Sequence, residues 1–306
     1  MAMKIAVVPT INPTSVSEQS AFLAERIGAE VIKNIDANML YDVVITVGPP
    51  NIVFDNVSRF ARAKKRVCYW IIEGILTGIG RKRARSAPCD LSIAPSLAVK
   101  KWMEESDVYV DYIIPHEIIP PNVEAKGNGR AVYIAGAYSR KWAPWGLQML
   151  KMTDRLDAFY KPEVPMELIA QYVKFLEGFG VRRLEIMPKD KHYEFLAQYT
   201  TFASLSASEG FGLYIREALA MKMNVVAVNH EAFWDVSTHP CFYAVPHRDI
   251  MYAVAPRDDV YDEYRTWDPN VYLDVMMKSL ERPCPVALEL RKHYDMLKTL
   301  IYQLLK

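Results

Sequence analysis

Short apolar runs rich in β-branched residues recur along the chain, separated by stretches with helical spacing. Residues 4–9 (Lys-Ile-Ala-Val-Val-Pro) form the first run, and 30–33, 41–47, 66–72, 89–94 and 108–114 follow. Runs of this length without polar alternation predict strands buried on both faces. Between them, Ser17 is placed to cap a helix with Glu18 in its first turn and Phe22, Leu23, Arg26 and Ile27 at helical spacing. Further helices are predicted over 57–65 and 96–105. Strands of this kind alternating with helices predict a parallel sheet covered by helices on both sides.

Residues 115–130 break that rhythm with Pro115, Pro120, Pro121, Gly127 and Gly129, the composition of a linker. The alternation then resumes. Strands are predicted at 131–135, 182–187, 202–206, 224–229 and 241–245, and helices at 144–156, 166–178, 193–199, 270–280 and 286–305. The expected fold class is α/β, with two Rossmann-like, doubly wound parallel-sheet domains facing a cleft. The first would span 1–120 and the second 130–285, with the amphipathic segment 286–306 returning to complete the first. A length of 306 residues suits two domains. In such sheets, ligands bind beyond the carboxyl ends of the strands.

Composition narrows the picture further. Hydrophobic residues make up 51% and charged residues 24%, values of a globular chain with a large core. A net charge of +1 gives no global attraction for nucleic acid. Cys68, Cys89, Cys241 and Cys284 are scattered without metal-ligand or redox spacing, and read as buried thiols in a reducing compartment. The N-terminal Met-Ala-Met-Lys lacks the order of a signal peptide, and no run approaches the ~20 apolar residues of a membrane span. A cytoplasmic location is expected, with peripheral membrane contact at most. Arg81, Lys82, Arg83 and Arg85 are the candidates for that contact, or for an anionic acceptor; the bland alternative is a solvated loop.

The candidate chemistry centres on 208–220, Ser-Glu-Gly-Phe-Gly-Leu-Tyr-Ile-Arg-Glu-Ala-Leu-Ala. An apolar strand precedes it, and its second half has helical character. The first amides of a helix have no partner within it and carry partial positive charge, so a glycine-bearing turn at such a start suits a phosphate or diphosphate. Glu209 and Glu217 would repel phosphate but suit vicinal hydroxyls of a sugar or ribose. A diphosphate flanked by two sugars is the outline of a nucleotide-sugar. Taken singly, each feature also has a purely structural explanation: a Glu that complements a helix dipole, and glycines that serve a turn.

The whole string resembles the acidic signature of retaining glycosyltransferases of the GT-B fold, family 4 and its relatives. Glu209, Gly210, Phe211, Gly212, Leu213, Glu217, Ala218 and Ala220 all match. The resemblance implies that Glu209 meets hydroxyls of the donor sugar, Glu217 the ribose, and the amides of Gly210 to Leu213 the sugar and diphosphate. More weakly, 133–136 followed by Arg140 and Lys141 is similar to the first strand of the family's C-terminal domain. Gly136 is then the strand-end glycine, Lys141 the diphosphate-binding lysine, and Arg140 a substitute for an arginine that usually follows the glycine directly, where this chain has Ala137. A solvated pair in a loop is the alternative for these cations.

The chain departs from the family in its N-terminal half. The loop Asn12-Pro13-Thr14-Ser15 lacks the usual glycine pair, and Glu73-Gly74 stands where a histidine is common. Glu73 is the acceptor-side candidate, with a surface carboxylate as its alternative. His230-Glu231-Ala232-Phe233 replaces a small glycine-rich turn. Trp142 and Trp145 are candidates for an acceptor cleft, while Trp70 fits core packing better. No Asp-x-Asp motif is present, and Asp258-Asp259 reads as a solvated pair.

The resemblance implies a metal-independent retaining glycosyltransferase, a hexosyltransferase, using a UDP- or GDP-sugar as substrate and no cofactor. The acceptor would be a saccharide, lipid or protein, and no nucleic acid is involved. A catalytically impaired nucleotide-sugar-binding protein of the same fold is the alternative.

Overall fold

A computed structural model describes residues 3–8, 15–32, 40–59, 63–119, 121–135, 144–161, 173–254 and 259–306. The chain divides into two compact units. Unit 1 takes residues 1–117, 252–262 and 291–306, and unit 2 takes 118–251 and 263–290.

In chain order, unit 1 begins with β1 (Ile5–Val8), α1 (Ser15–Ile27), β2 (Glu30–Val31), β3 (Val43–Gly48), α2 (Pro50–Arg59) and β4 (Lys65–Trp70). It continues with β5 (Gly74–Leu76), α3 (Gly78–Ser86), β6 (Leu91–Ala94), α4 (Leu97–Glu105) and β7 (Tyr112–Ile113). Six strands form one sheet in the order β2-β1-β3-β4-β6-β7, with every pairing parallel. The expected doubly wound pattern is therefore present, because these strands are too apolar to leave either face in water.

Several boundaries differ from the sequence expectation. Helix α1 starts before Ser17, which lies inside it rather than capping it. The helix predicted over 57–65 is instead α2, starting at Pro50. Proline is well suited to a first helical turn, where its missing amide costs nothing. Residues 65–70 are then free to form β4.

Unit 2 contains β8 (Ala131–Ala135), α5 (Pro144–Leu147), a short 3-10 turn (Gln148–Lys151), β9 (Leu156–Tyr160), α6 over 173–178, β10 (Arg182–Arg183) and α7 (Lys189–Leu196). It continues with β11 (Thr201–Ser204), α8 (Leu213–Ala220), β12 (Asn224–Val228), a 3-10 turn (Glu231–Phe233) and β13 (Phe242–Val245). The expected helix over 144–156 breaks into α5 and the 3-10 turn, and β9 was not foreseen. Asp157 breaks the apolar run of β9, but its charge is answered by Arg130 through two bonds of 2.8 and 3.0 Å. The strand expected over 182–187 shrinks to two residues, and α7 begins earlier than expected.

The unit 2 sheet is parallel throughout, in the order β10-β9-β8-β11-β12-β13. Renumbered within the unit, that order is 3-2-1-4-5-6, the doubly wound arrangement whose switch point lies between β8 and β11.

The chain then passes through β14 (Ile250–Val254) and β15 (Val260–Arg265), and α9 (Pro269–Ser279) follows. Within unit 1, β15 pairs antiparallel with β5, Tyr261 opposite Ile75. The last helix, α10 (His293–Leu304), buries Tyr294, Leu297 and Ile301 in the core of unit 1 against Leu23, Ile27 and Ile45. Glu117 secures its start: one carboxylate oxygen accepts the Tyr294 amide at 2.6 Å and the other pairs with Arg26 at 3.0 Å.

The cysteines correct the expectation of free thiols. Cys68 is joined to Cys89 and Cys241 to Cys284, with Cα separations of 5.7 and 5.6 Å. Residues brought together from distant positions in the sequence escape any reading of linear spacing, and the pairing removes the argument for a reducing compartment. Among the described residues, no helix is long and apolar enough to cross a membrane.

Candidate functional site

The string 208–220 occupies the carboxyl end of β11, on the switch-point side of the unit 2 sheet. Residues 201–208 are buried, Glu209 is half-buried and Gly210 and Phe211 are buried again. The Ser206 hydroxyl donates to the Ser208 carbonyl at 2.7 Å, which tightens the turn. Gly212 is the N-terminal cap of α8 and has a left-handed backbone, φ +77°. A Cβ at that position would lie 2.7 Å from the Phe233 ring. Glycine is thus required twice over, by conformation and by space.

Helix α8 carries Arg216 and Glu217 side by side, both 2% exposed. The Glu217 Oε1 atom accepts the Tyr193 hydroxyl at 2.9 Å and pairs with Lys189 Nζ at 3.0 Å. Both partners come from α7. Next to them, His192 is 3% exposed, and neither ring nitrogen has a hydrogen-bond partner among the described residues. Burial, reinforced by the charges of Lys161 and Lys189, pushes its pKa down to about 3, so the ring is neutral. It packs edge-on against Tyr214, whose face also receives Lys161 at 5.5 Å.

A second polar network lies beyond the carboxyl end of β12. Arg265 donates to the Asn229 carbonyl and to Glu263 Oε1, each at 2.9 Å, and also binds Glu231. His230 Nδ1 accepts the Ala232 amide at 3.0 Å, which leaves its proton on Nε2, 3.5 Å from Glu263. His230, Glu231 and Glu263 place one potential ligand atom each within 4.8 Å of one another. Arg265 already answers both carboxylates, so the cluster is a brace for the 229–235 loop rather than a metal cradle.

Glu209, Gly210, Phe211, Gly212, Leu213 and Glu217 fall on one turn and helix start. Gly136, Arg140, Lys141 and Trp142 lie outside the described residues, as do Thr14 and Asp258. Glu73 is in unit 1, half-buried in the turn between β4 and β5. Trp70 is core, its indole donating to Ser92 at 2.8 Å. Asp259 is fully buried and paired with Arg83 at 2.7 Å, which corrects its reading as solvated. The basic cluster belongs to α3 rather than a loop, and Arg81 and Arg85 both face Asp107. Nothing in the sequence marks Lys189, Tyr193 or Arg265, and His230 stands out only as part of the segment that replaces a glycine-rich turn. Arg216 carries one signal, a cation beside Glu217 in a helix whose other residues are mostly apolar.

No protein-family profile matches the sequence, and no curated protein does. Solved structures do match, over nearly the whole chain. HepE of Anabaena, in complex with UDP and glucose, is 14% identical with a TM-score of 0.63, covering 99% of this chain and 97% of its own. Sucrose-phosphate synthase of Thermosynechococcus elongatus is 11% identical with a TM-score of 0.68, covering 100% and 95%. A glycosyltransferase from Rickettsia africae is 12% identical with a TM-score of 0.58, covering 99% of each chain. The fold is GT-B. At these identities the likeness speaks for the fold, and the chemistry must be argued from the site.

Proposed function

We propose that this chain is a glycosyltransferase that moves a sugar, a hexose in this reading, from a nucleoside-diphosphate sugar to an acceptor. The observation that carries the reading is the position of the 208–220 string, at the carboxyl end of β11 beside the switch point of a 3-2-1-4-5-6 sheet. That is where a doubly wound sheet binds its ligand. The diphosphate would meet the amides of Gly210 to Leu213 at the start of α8. Glu209 would hold hydroxyls of the sugar. Glu217 would hold the ribose: Lys189 and Tyr193 converge on Oε1, which leaves Oε2 for a hydroxyl. Gly136, Arg140 and Lys141 follow β8, the strand next to β11, and would add cations to the diphosphate.

The reaction in this reading retains the anomeric configuration. The acceptor attacks on the face from which the nucleoside diphosphate leaves, so no protein nucleophile is needed. Lys141, Arg140 and the helix amides stabilise the charge that grows on the leaving group, without a metal ion and without a cofactor. Glu73 of unit 1 is the acceptor-side candidate. A UDP- or GDP-sugar is the expected donor, a choice supported by HepE, which was solved with UDP and glucose. The acceptor is a saccharide, lipid or protein. A peripheral membrane contact through Arg81 to Arg85 would have to be made by cations of which three already face carboxylates.

The engagement of Glu217 by Lys189 favours a second reading, a donor-binding protein with impaired catalysis. Thermal-shift titrations with UDP-, GDP- and ADP-sugars test the shared claim: one of them should raise the unfolding temperature, and Glu217→Ala should abolish the rise. Release of free sugar from that donor without acceptor then marks an enzyme, and its absence marks the binding protein. No shift with any of the three donors would sink both readings.

A further inference from the structure

Arg216 is among the largest fully buried side chains of the molecule, although its neighbours on α8 are mostly apolar. Helix side chains lean toward the N-terminus, and this one turns back onto the turn that precedes its own helix. Its Nη1 donates to the carbonyls of Phe211 and of Gly212, the latter at 3.3 Å. Its Nη2 donates to the Ala232 carbonyl at 2.9 Å and to Asp235, while Nε reaches Asp235 Oδ2 at 3.2 Å. The guanidinium also stacks on the Phe211 ring, 3.6 Å from its centroid.

A trans peptide is planar, with its carbonyl and the next residue's amide pointing in opposite directions. A Phe211 carbonyl drawn to Arg216 therefore turns the Gly212 N–H away from it. The Gly212 carbonyl does the same for the Leu213 N–H. These are amides at a helix start, the group that has no partner inside the helix. Burial lowers the pKa of Arg216, and the charge is maintained by Asp235 and by the nearby Glu209. The same guanidinium thus fixes the glycine turn, stitches it to the 232–235 segment and lies within electrostatic reach of the first motif carboxylate.

We propose that Arg216 is the positioning residue of the donor site: it aims the Gly212 and Leu213 amides at the diphosphate without touching the donor itself. This rests on the donor reading given above. A planar fork that serves several carbonyls and a carboxylate at once cannot be replaced by an ammonium point charge. The turn in Arg216→Lys should therefore keep its place but lose its aim.

The test uses calorimetric titration of the full chain with UDP, GDP and ADP, and with the matching monophosphates. Wild type identifies the base. Arg216→Lys should then lose at least tenfold more affinity for the diphosphate than for the monophosphate. The double variant Arg216→Met/Asp235→Asn, which leaves no stranded charge, should show the same split. Equal losses for both nucleotides, or no loss, would overturn the proposal while leaving the donor site intact. Binding of no nucleoside diphosphate by wild type would instead remove the donor reading beneath it. Should both variants fail to fold, wild type still decides: the Gly212 and Leu213 amide resonances must shift on adding the diphosphate, and unmoved resonances refute the proposal.

Discussion

Lys189 and Glu217 form a 3.0 Å ion pair in which the carboxylate is almost wholly buried and the ammonium is about a third exposed. Removing one partner of a fully buried pair costs about 3–5 kcal/mol, and of an exposed pair about 0–1 kcal/mol. With one partner in each condition, Lys189→Met should destabilise by about 1–2 kcal/mol, read by urea unfolding. The double variant Lys189→Met/Glu217→Gln removes both charges and should recover most of the loss. If single and double variants are equally unstable, the loss does not come from a stranded carboxylate charge.

Gly212→Ala should be harmful for two separable reasons. A left-handed backbone costs a non-glycine residue about 1–2 kcal/mol. The new methyl group would also meet the Phe233 ring at 2.7 Å. Adding Phe233→Leu should relieve the second cost and leave the first. A double variant as stable as wild type would show that the turn tolerates a side chain.

His192 predicts an acid-sensitive contribution to stability. Its pKa is about 3 when folded and near the ordinary value of 6.5 when unfolded. The unfolded chain therefore binds the extra proton between those limits. Stability should fall as pH drops from about 6.5 toward 3, by at most about 1.4 kcal/mol per pH unit from this group, and should be unaffected above. His192→Phe should flatten the slope between pH 4 and 6 relative to wild type. Parallel profiles for the two proteins would show that the ring is protonated in the fold.

The two cystine links close loops of 21 and 43 residues. Chain-entropy arguments give stabilisation of about 3 kcal/mol for the shorter loop and about 4 kcal/mol for the longer. Mass spectrometry of the protein purified without reductant should show both pairs oxidised. Reduction should lower the unfolding temperature, and Cys241→Ser/Cys284→Ser should lower it more than Cys68→Ser/Cys89→Ser. No response to reductant would show that neither link forms.

The legible parts of this chain are the local ones. Residues 43–48 and 224–228 announce strands because β-branched apolar residues dominate them and no charge interrupts them, and the parallel sheets follow. Glu209 and Glu217 are readable because their spacing is carried by one turn and one helix. What sequence hid depends on distant partners. Asp157 disguised β9 until Arg130 neutralised it. Arg216 and Arg265 have meaning only through carbonyls and carboxylates contributed by other segments. Lys189 and Tyr193 meet Glu217 from a helix more than twenty positions upstream. The cysteines were scattered in the chain and adjacent in the fold.

The docking of α10 has a consequence for synthesis. Unit 1 cannot close its core, or engage Glu117 with Tyr294, until residues 291–306 have been made. Unit 2 needs nothing beyond residue 290. On a chain built from its N-terminus, the half that holds the candidate donor site is therefore made in full before residues 291–306, while the opening hundred residues wait, partly assembled, for a helix synthesised after it.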